Sequence, residues 1–175
     1  GFAFKTHNVN SHIDFIERTG EFLSNDSASF VEFPKNQYVC YMDMFTWFME
    51  KEEIDMSVSS ISISDRLYQQ GLSPDELEDV ELDGAIFTSV HPKQDSLEFI
   101  SPVANYNLQK HLITAREVRL LKVADATIYP GDGEIIVEKK AIMRTLDSAK
   151  IVANNASRYH IIYESTVNIF GAKDY

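Results

Sequence analysis

Five histidines, a single cysteine and 27 acidic side chains are the groups in this chain best suited to chemistry. The histidines are His7, His12, His91, His111 and His160. No two stand at the i, i+4 spacing that would put both imidazoles on one helix face, and no His-Glu-x-x-His occurs, so a helical zinc site has no support. His91 and His111 fall in turn-like stretches, where a solvated imidazole is the ordinary outcome. Cys40 lies in the apolar run Tyr38-Val39-Cys40-Tyr41-Met42 and reads as a small buried hydrophobe rather than a nucleophile. Being alone, it can form neither an intrachain disulfide nor a Cys-x-x-Cys motif.

The acidic cluster Asp75, Glu76, Glu78, Asp79, Glu81 and Asp83 lacks the alternating ligands and glycine of a calcium loop. It reads as a solvated helix face or acidic loop. Pro130-Gly131-Asp132-Gly133 is too short and too acidic to cradle phosphate, and no Walker, dinucleotide or Gly-x-Ser-x-Gly pattern is present. The sequence therefore names no catalytic residue, no metal ligand and no cofactor. Carboxylate pairs for glycoside chemistry meet only in the fold, which keeps a carbohydrate-active enzyme on a β-helix as an alternative. The candidate ligand-contact surface is aromatic: Trp47 first, with Tyr41 and Phe45. Exposed rings of this kind stack on sugars or anchor partners, and core packing is the competing role.

What must position these residues is a β architecture. At 175 residues the chain is most simply one domain, 1–175, with residues 65–84 as an acidic helix or loop insertion. Hydrophobic residues make up 44% and charged ones 25%, which is globular rather than disordered. A formal charge of -11 repels phosphate backbones and argues against a nucleic-acid partner. No apolar run approaches the roughly 18 residues of a transmembrane helix. The chain opens on Gly1 rather than Met and shows no signal peptide, so a longer parent whose targeting signal is missing is expected.

Short runs rich in β formers fall at residues 30–33, 38–41, 86–87, 97–100, 104–108, 112–115, 118–123, 126–129, 134–137, 149–152 and 159–170. Ile54, Met56, Val58, Ile61 and Ile63 alternate as one more strand, while residues 42–49 fit helix or strand. At most one or two short helices are expected. Ser11 caps the first, with Asp14 in the capping-box place, although Phe22-Leu23 nearby reads as strand; Ser73, Pro74 and Glu76 open the second. Many short strands with frequent turns give an all-β fold.

Apolar residues at offsets zero, two, seven and nine around a polar insert recur at Val31/Phe33/Tyr38/Cys40, Trp47/Met49/Ile54/Met56 and Tyr106/Leu108/Ile113/Ala115. The count carries no weight at this apolar content. The residue types do, since turn formers fill the inserts and β formers flank them. The template predicts strand–corner–strand units, among them residues 106–115 and 128–137, with residues 130–133 a turn rather than a site.

The run from Ser101 to Ile135 resembles the repeats of OstA-like lipopolysaccharide-transport β-jellyroll proteins. Ala104, Tyr106, Ile113, Ala115, Val118 and Leu120 occupy the apolar places of such a repeat. Arg116-Glu117 stand where that family carries glycines. The resemblance implies a jellyroll of stacked strands, a place in the periplasm or cell envelope, a lipid ligand and no catalytic residues. Taken together, the expectation is an irregular β-solenoid or β-jellyroll acting as a non-catalytic, extracytoplasmic scaffold or binding module. It would take an apolar or polymeric ligand, or a protein partner through open sheet edges. The enzyme on a β-helix and a structural subunit of an assembly are the alternatives.

Overall fold

The structure, a computed structural model, describes residues 2–25, 29–56, 84–153 and 160–175. The helix expected at Ser73, the acidic cluster and the strand continuation through Ile63 lie outside the described residues. Among the described residues, sixteen short strands form three antiparallel sheets, none closed into a barrel. The first sheet runs in the order β1 (Lys5–His7), β4 (Phe30–Phe33), β5 (Tyr38–Tyr41), β8 (Ala85–Ser89), β9 (Glu98–Ser101). The second runs β14 (Ile135–Val137), β11 (Leu112–Arg116), β10 (Val103–Asn107), β7 (Glu53–Asp55), β6 (Met44–Phe48), β3 (Thr19–Ser24), β2 (Val9–Asp14). The third is β12 (Leu121–Val123), β13 (Ala126–Tyr129), β15 (Leu146–Ala153), β16 (His160–Val167), with β12 lying next to β9. The fold is all-β and jellyroll-like. Among the described residues the only helical geometry is a single turn at Lys139–Ala141.

The order of the sheets follows from burial. A lone hairpin is marginal in water because its apolar face has nothing to cover it. Here consecutive hairpins are dealt alternately to the first two sheets: β2–β3 to the second, β4–β5 to the first, then β6–β7, β8–β9 and β10–β11 in turn. Each hairpin's apolar face meets the next hairpin's. Phe33 of β4 and Tyr106 of β10 pack across the two sheets with ring centroids 4.4 Å apart. Val31, Phe33, Tyr38, Cys40, Phe87, Ile54, Tyr106 and Ile113 have no exposed surface, so the interior is filled by side chains. Asn36 adds a polar clamp between the sheets. Its Nδ2 donates to the carbonyls of His111 at 2.8 Å and Val137 at 3.0 Å.

The hairpin loops repeat one geometry. Residues 15–18, 34–37, 49–52 and 108–111 are four-residue turns ending in left-handed backbone, at Arg18 (φ 55°), Gln37 (57°), Glu52 (52°) and His111 (54°). The offset template describes the first strict copy fully, since Val31 pairs with Cys40 and Phe33 with Tyr38. In the other two copies Trp47 pairs with Ile54 and Tyr106 with Ile113, which moves Met49 and Leu108 into the loop. In the third copy the Asn107 carboxamide decides this. Its Oδ1 accepts the Lys110 N–H at 2.8 Å and starts the turn directly after it.

Two expectations need correction. The helix predicted from Ser11 is strand β2, with Ser11 opposite Phe22. Asp14 does cap, but it caps a loop: its Oδ1 accepts the Ile16 and Glu17 amides at 2.8 and 2.9 Å, and these bonds hold its pKa below the usual carboxylate value. Residues 106–115 form a hairpin within one sheet, not a corner between two. Residues 128–137 do turn a corner, because β13 and β14 belong to different sheets. The ambiguous residues 42–49 resolve as β6.

Pro130–Gly133 makes that corner. The Gly133 N–H donates to the Pro130 carbonyl at 3.2 Å, with Gly133 at φ 68°, and Val118 N–H donates to the Gly133 carbonyl at 2.9 Å. Gly131 is required by proximity. A methyl there would sit 2.5 Å from the Ser148 carbonyl oxygen and 2.8 Å from that of Asp147, and neither backbone atom can move aside cheaply. Gly131→Ala is therefore expected to lower stability by about 1–3 kcal/mol in denaturant melts. An unchanged midpoint would show that the corner is looser than drawn.

Candidate interaction site at the open sheet edge

β16 is built from His160-Ile161-Ile162-Tyr163-Glu164-Ser165-Thr166-Val167, a run of β-branched and aromatic residues that favours extended backbone. It pairs with β15 through Ala153↔His160, Val152↔Ile161 and Ile151↔Ile162, then slips and recovers at Leu146↔Val167. Ser148 (φ 51°) and Glu164 (φ 50°) take left-handed backbone in the irregular part, as bulged strands do. Val167 and Ile169 return to the core and anchor the end of the strand. No strand of the described residues pairs with the other edge of β16.

That edge is apolar as well as open. Ile161, Ile162 and Tyr163 are 46%, 50% and 65% exposed, so both faces of the strand reach solvent. An eight-residue strand with three exposed apolar residues in a row is a template for another strand. The one charge in the run is Glu164. The opposite end of the stack is apolar too. Phe15 and Ile16, at the tip of the β2–β3 loop, are 81% and 90% exposed. β1 there is only three residues long, and its Lys5 is engaged by Glu32 at 3.4 Å.

The aromatic surface proposed from sequence is distributed over two places. Phe45 and Trp47 share the inner face of β6: Phe45 is buried, and Trp47 packs edge-on against Phe4 at 5.7 Å. Phe45 stacks on Phe22 at 4.5 Å. Tyr41 lies on β5 with its ring turned outward beside Phe30 at 5.6 Å, the ring that carries His7 stacked at 4.3 Å. Of the three, Tyr41 presents the most surface. Tyr41 and the Phe45/Trp47 pair lie on consecutive strands of different sheets, which explains the split, and sequence spacing alone does not reveal which face of a strand is inward.

Burial shifts the thiol and two of the phenols. Burial pushes the Cys40 thiol well above its usual pKa, raises the Tyr38 phenol, and takes Tyr106 up to about 12. The Tyr106 hydroxyl lies 3.0 Å from His111 Nδ1 and 3.2 Å from the Ala3 carbonyl. His91 sits after β8, its Nδ1 accepting the Lys93 N–H at 3.1 Å. Among the described residues, no three of the His, Cys, Asp and Glu side chains gather as a metal would require, and no helix is long and apolar enough to cross a membrane. Acidic groups near cations form exposed pairs, such as Arg116–Glu134 at 3.2 Å.

A raised thiol pKa means that the reactive thiolate is missing near neutral pH and gains population only well above the usual thiol range. Cys40 should resist a disulfide reagent around pH 8 in the native protein and react fully once denatured; prompt native labelling would contradict its place in the core. Compared with protein-family models, with curated proteins and with solved structures, the chain gives no match in any of the three.

Proposed function

We propose that this chain is a non-catalytic β-rich scaffold module of the cell envelope that associates with further copies of itself through its open sheet edges. The observation that carries the reading is β16: a long, two-faced apolar strand whose outer edge pairs with no strand among the described residues. Exposed apolar groups at the far end, Phe15 and Ile16, supply a second sticky end. A stack with one such end can only pair with itself, whereas a stack with two can extend. The resemblance of residues 101–135 to OstA-like repeats supports an extracytoplasmic setting.

The interior favours scaffold over carrier. Tyr38, Tyr106, Phe33, Phe87 and Ile54 have essentially no accessible surface. A lipid-carrying groove would leave its lining side chains accessible, whereas these are covered. That supports binding on the edges and outer faces.

Sedimentation velocity across a concentration series tests this. The wild-type chain is expected to shift to larger species as concentration rises. The pair Ile161→Lys and Tyr163→Lys should hold it monomeric, because charges on an edge strand block pairing. Both substitutions are on exposed side chains, so the melting temperature should stay within about 2 °C of wild type. A wild-type monomer at the highest concentration would sink the reading.

A further inference from the structure

Positive charge in this acidic chain is gathered at one place away from the β16 edge. Lys110, Lys139, Lys140 and Arg144 line an open cleft of about 410 Å³, together with Glu138 and the exposed Ile142. Lys35 adjoins it, its carbonyl accepting the Lys140 N–H at 2.8 Å. Five cations and one carboxylate give this patch +4, so the rest of the chain carries -11 - 4 = -15. Glu138 is already held by Arg144 at 2.6 Å. Lys35, Lys110, Lys139 and Lys140 have no carboxylate partner among the described residues.

The backbone beneath these side chains is fixed in a costly shape. Lys140 and Ala141 take consecutive left-handed conformations, φ 62° and 59°, without glycine. Buried groups hold them there. Gln94 Nε2 donates to the Ala141 carbonyl at 2.7 Å, and the Tyr38 hydroxyl donates to Gln94 Oε1 at 3.2 Å. Glu138 N–H donates to the Ile142 carbonyl at 2.7 Å and closes the turn. These bonds brace the turn from the core, and Lys139 and Lys140 line the cleft together with Lys110.

We propose that this cleft binds a compact anion carrying two or more phosphate or sulfate groups. Cations placed together without partners repel one another, and a multivalent anion removes that repulsion while taking up several ammonium donors. The ligand is compact because a long polyanion would leave the patch and meet the repulsion of a chain whose remaining net charge is negative. Across Lys140 a neighbouring cleft carries Asp174, which bounds the favourable region on that side. His111 lies within reach of these charges. Its pKa is held down by burial first, then by Lys139 and Lys35. The site is separate from the assembly edge, and either proposal can fail alone.

Calorimetry with inorganic tripolyphosphate tests the site directly. The expected result is saturable binding that weakens with salt and falls by at least about tenfold in Lys139→Gln/Lys140→Gln. Lys122→Gln, a lysine exposed on β12 outside the cleft, should bind as wild type does. Lys110→Gln, on another element of the cleft wall, repeats the test should the turn variant fail to fold. Cosedimentation with phosphatidylcholine vesicles, with and without the diphosphate lipid cardiolipin, identifies the source. Lysine-dependent binding to the acidic vesicles alone assigns a lipid headgroup, and binding to tripolyphosphate without vesicles assigns a free anion. No saturable binding to either probe, or equal binding by the lysine variants, overturns the proposal.

Discussion

Everything in this fold depends on burying one face of each hairpin against a hairpin of the other layer. The contact of Phe33 with Tyr106, 4.4 Å between ring centres, is the centre of that arrangement. Burial of such a side chain contributes about 1.5–3 kcal/mol, and no single hairpin has enough of it to stand alone. Alternating the hairpins between two sheets makes every apolar face useful. It also means that the chain closes contacts far apart in sequence. Asn36 joins its loop to residues 75 and 101 positions away, by bonds to His111 and Val137. Its two donated bonds place a side-chain amide on backbone carbonyls of two distant segments.

The inward residues of the first two sheets are buried, and the contacts proposed above lie on edges, loops and outer faces. These are not alike. The β16 end is apolar and extended, suited to another strand. The Lys139–Ala141 turn is cationic and rigid, suited to a small charged group. Nothing couples the two in the described residues: one lies at a sheet edge, while the other is braced through Gln94 and Tyr38 to the core.

Much of the fold was legible in the sequence for a simple reason. Strand alternation has period two, and hairpins with four-residue polar inserts leave a visible trace, as at Val31/Phe33/Tyr38/Cys40. The errors are equally physical. Ser11 with Asp14 looked like a helix start because a carboxylate that caps loop amides has the same spacing as one that caps a helix. Trp47, Tyr41 and Phe45 looked like one surface because they are close in sequence. They lie on two strands of different sheets, and only Tyr41 turns outward to any extent. The basic cleft left no sequence signal beyond the Lys139-Lys140 pair, since Lys35, Lys110 and Arg144 come from separate elements.

What the sequence determined by itself is the local grammar: strands from β-branched and aromatic runs, turns from Asn, Asp, Pro and Gly, and a core from alternating apolar positions. These depend on neighbours a few residues apart, so local composition suffices. The tertiary structure alone decided which hairpin faces which, where the register falls, which strand is left at an edge and which cations meet. Those outcomes depend on contacts across the whole chain. β16 has the composition of a core strand and is exposed only because the stack ends there.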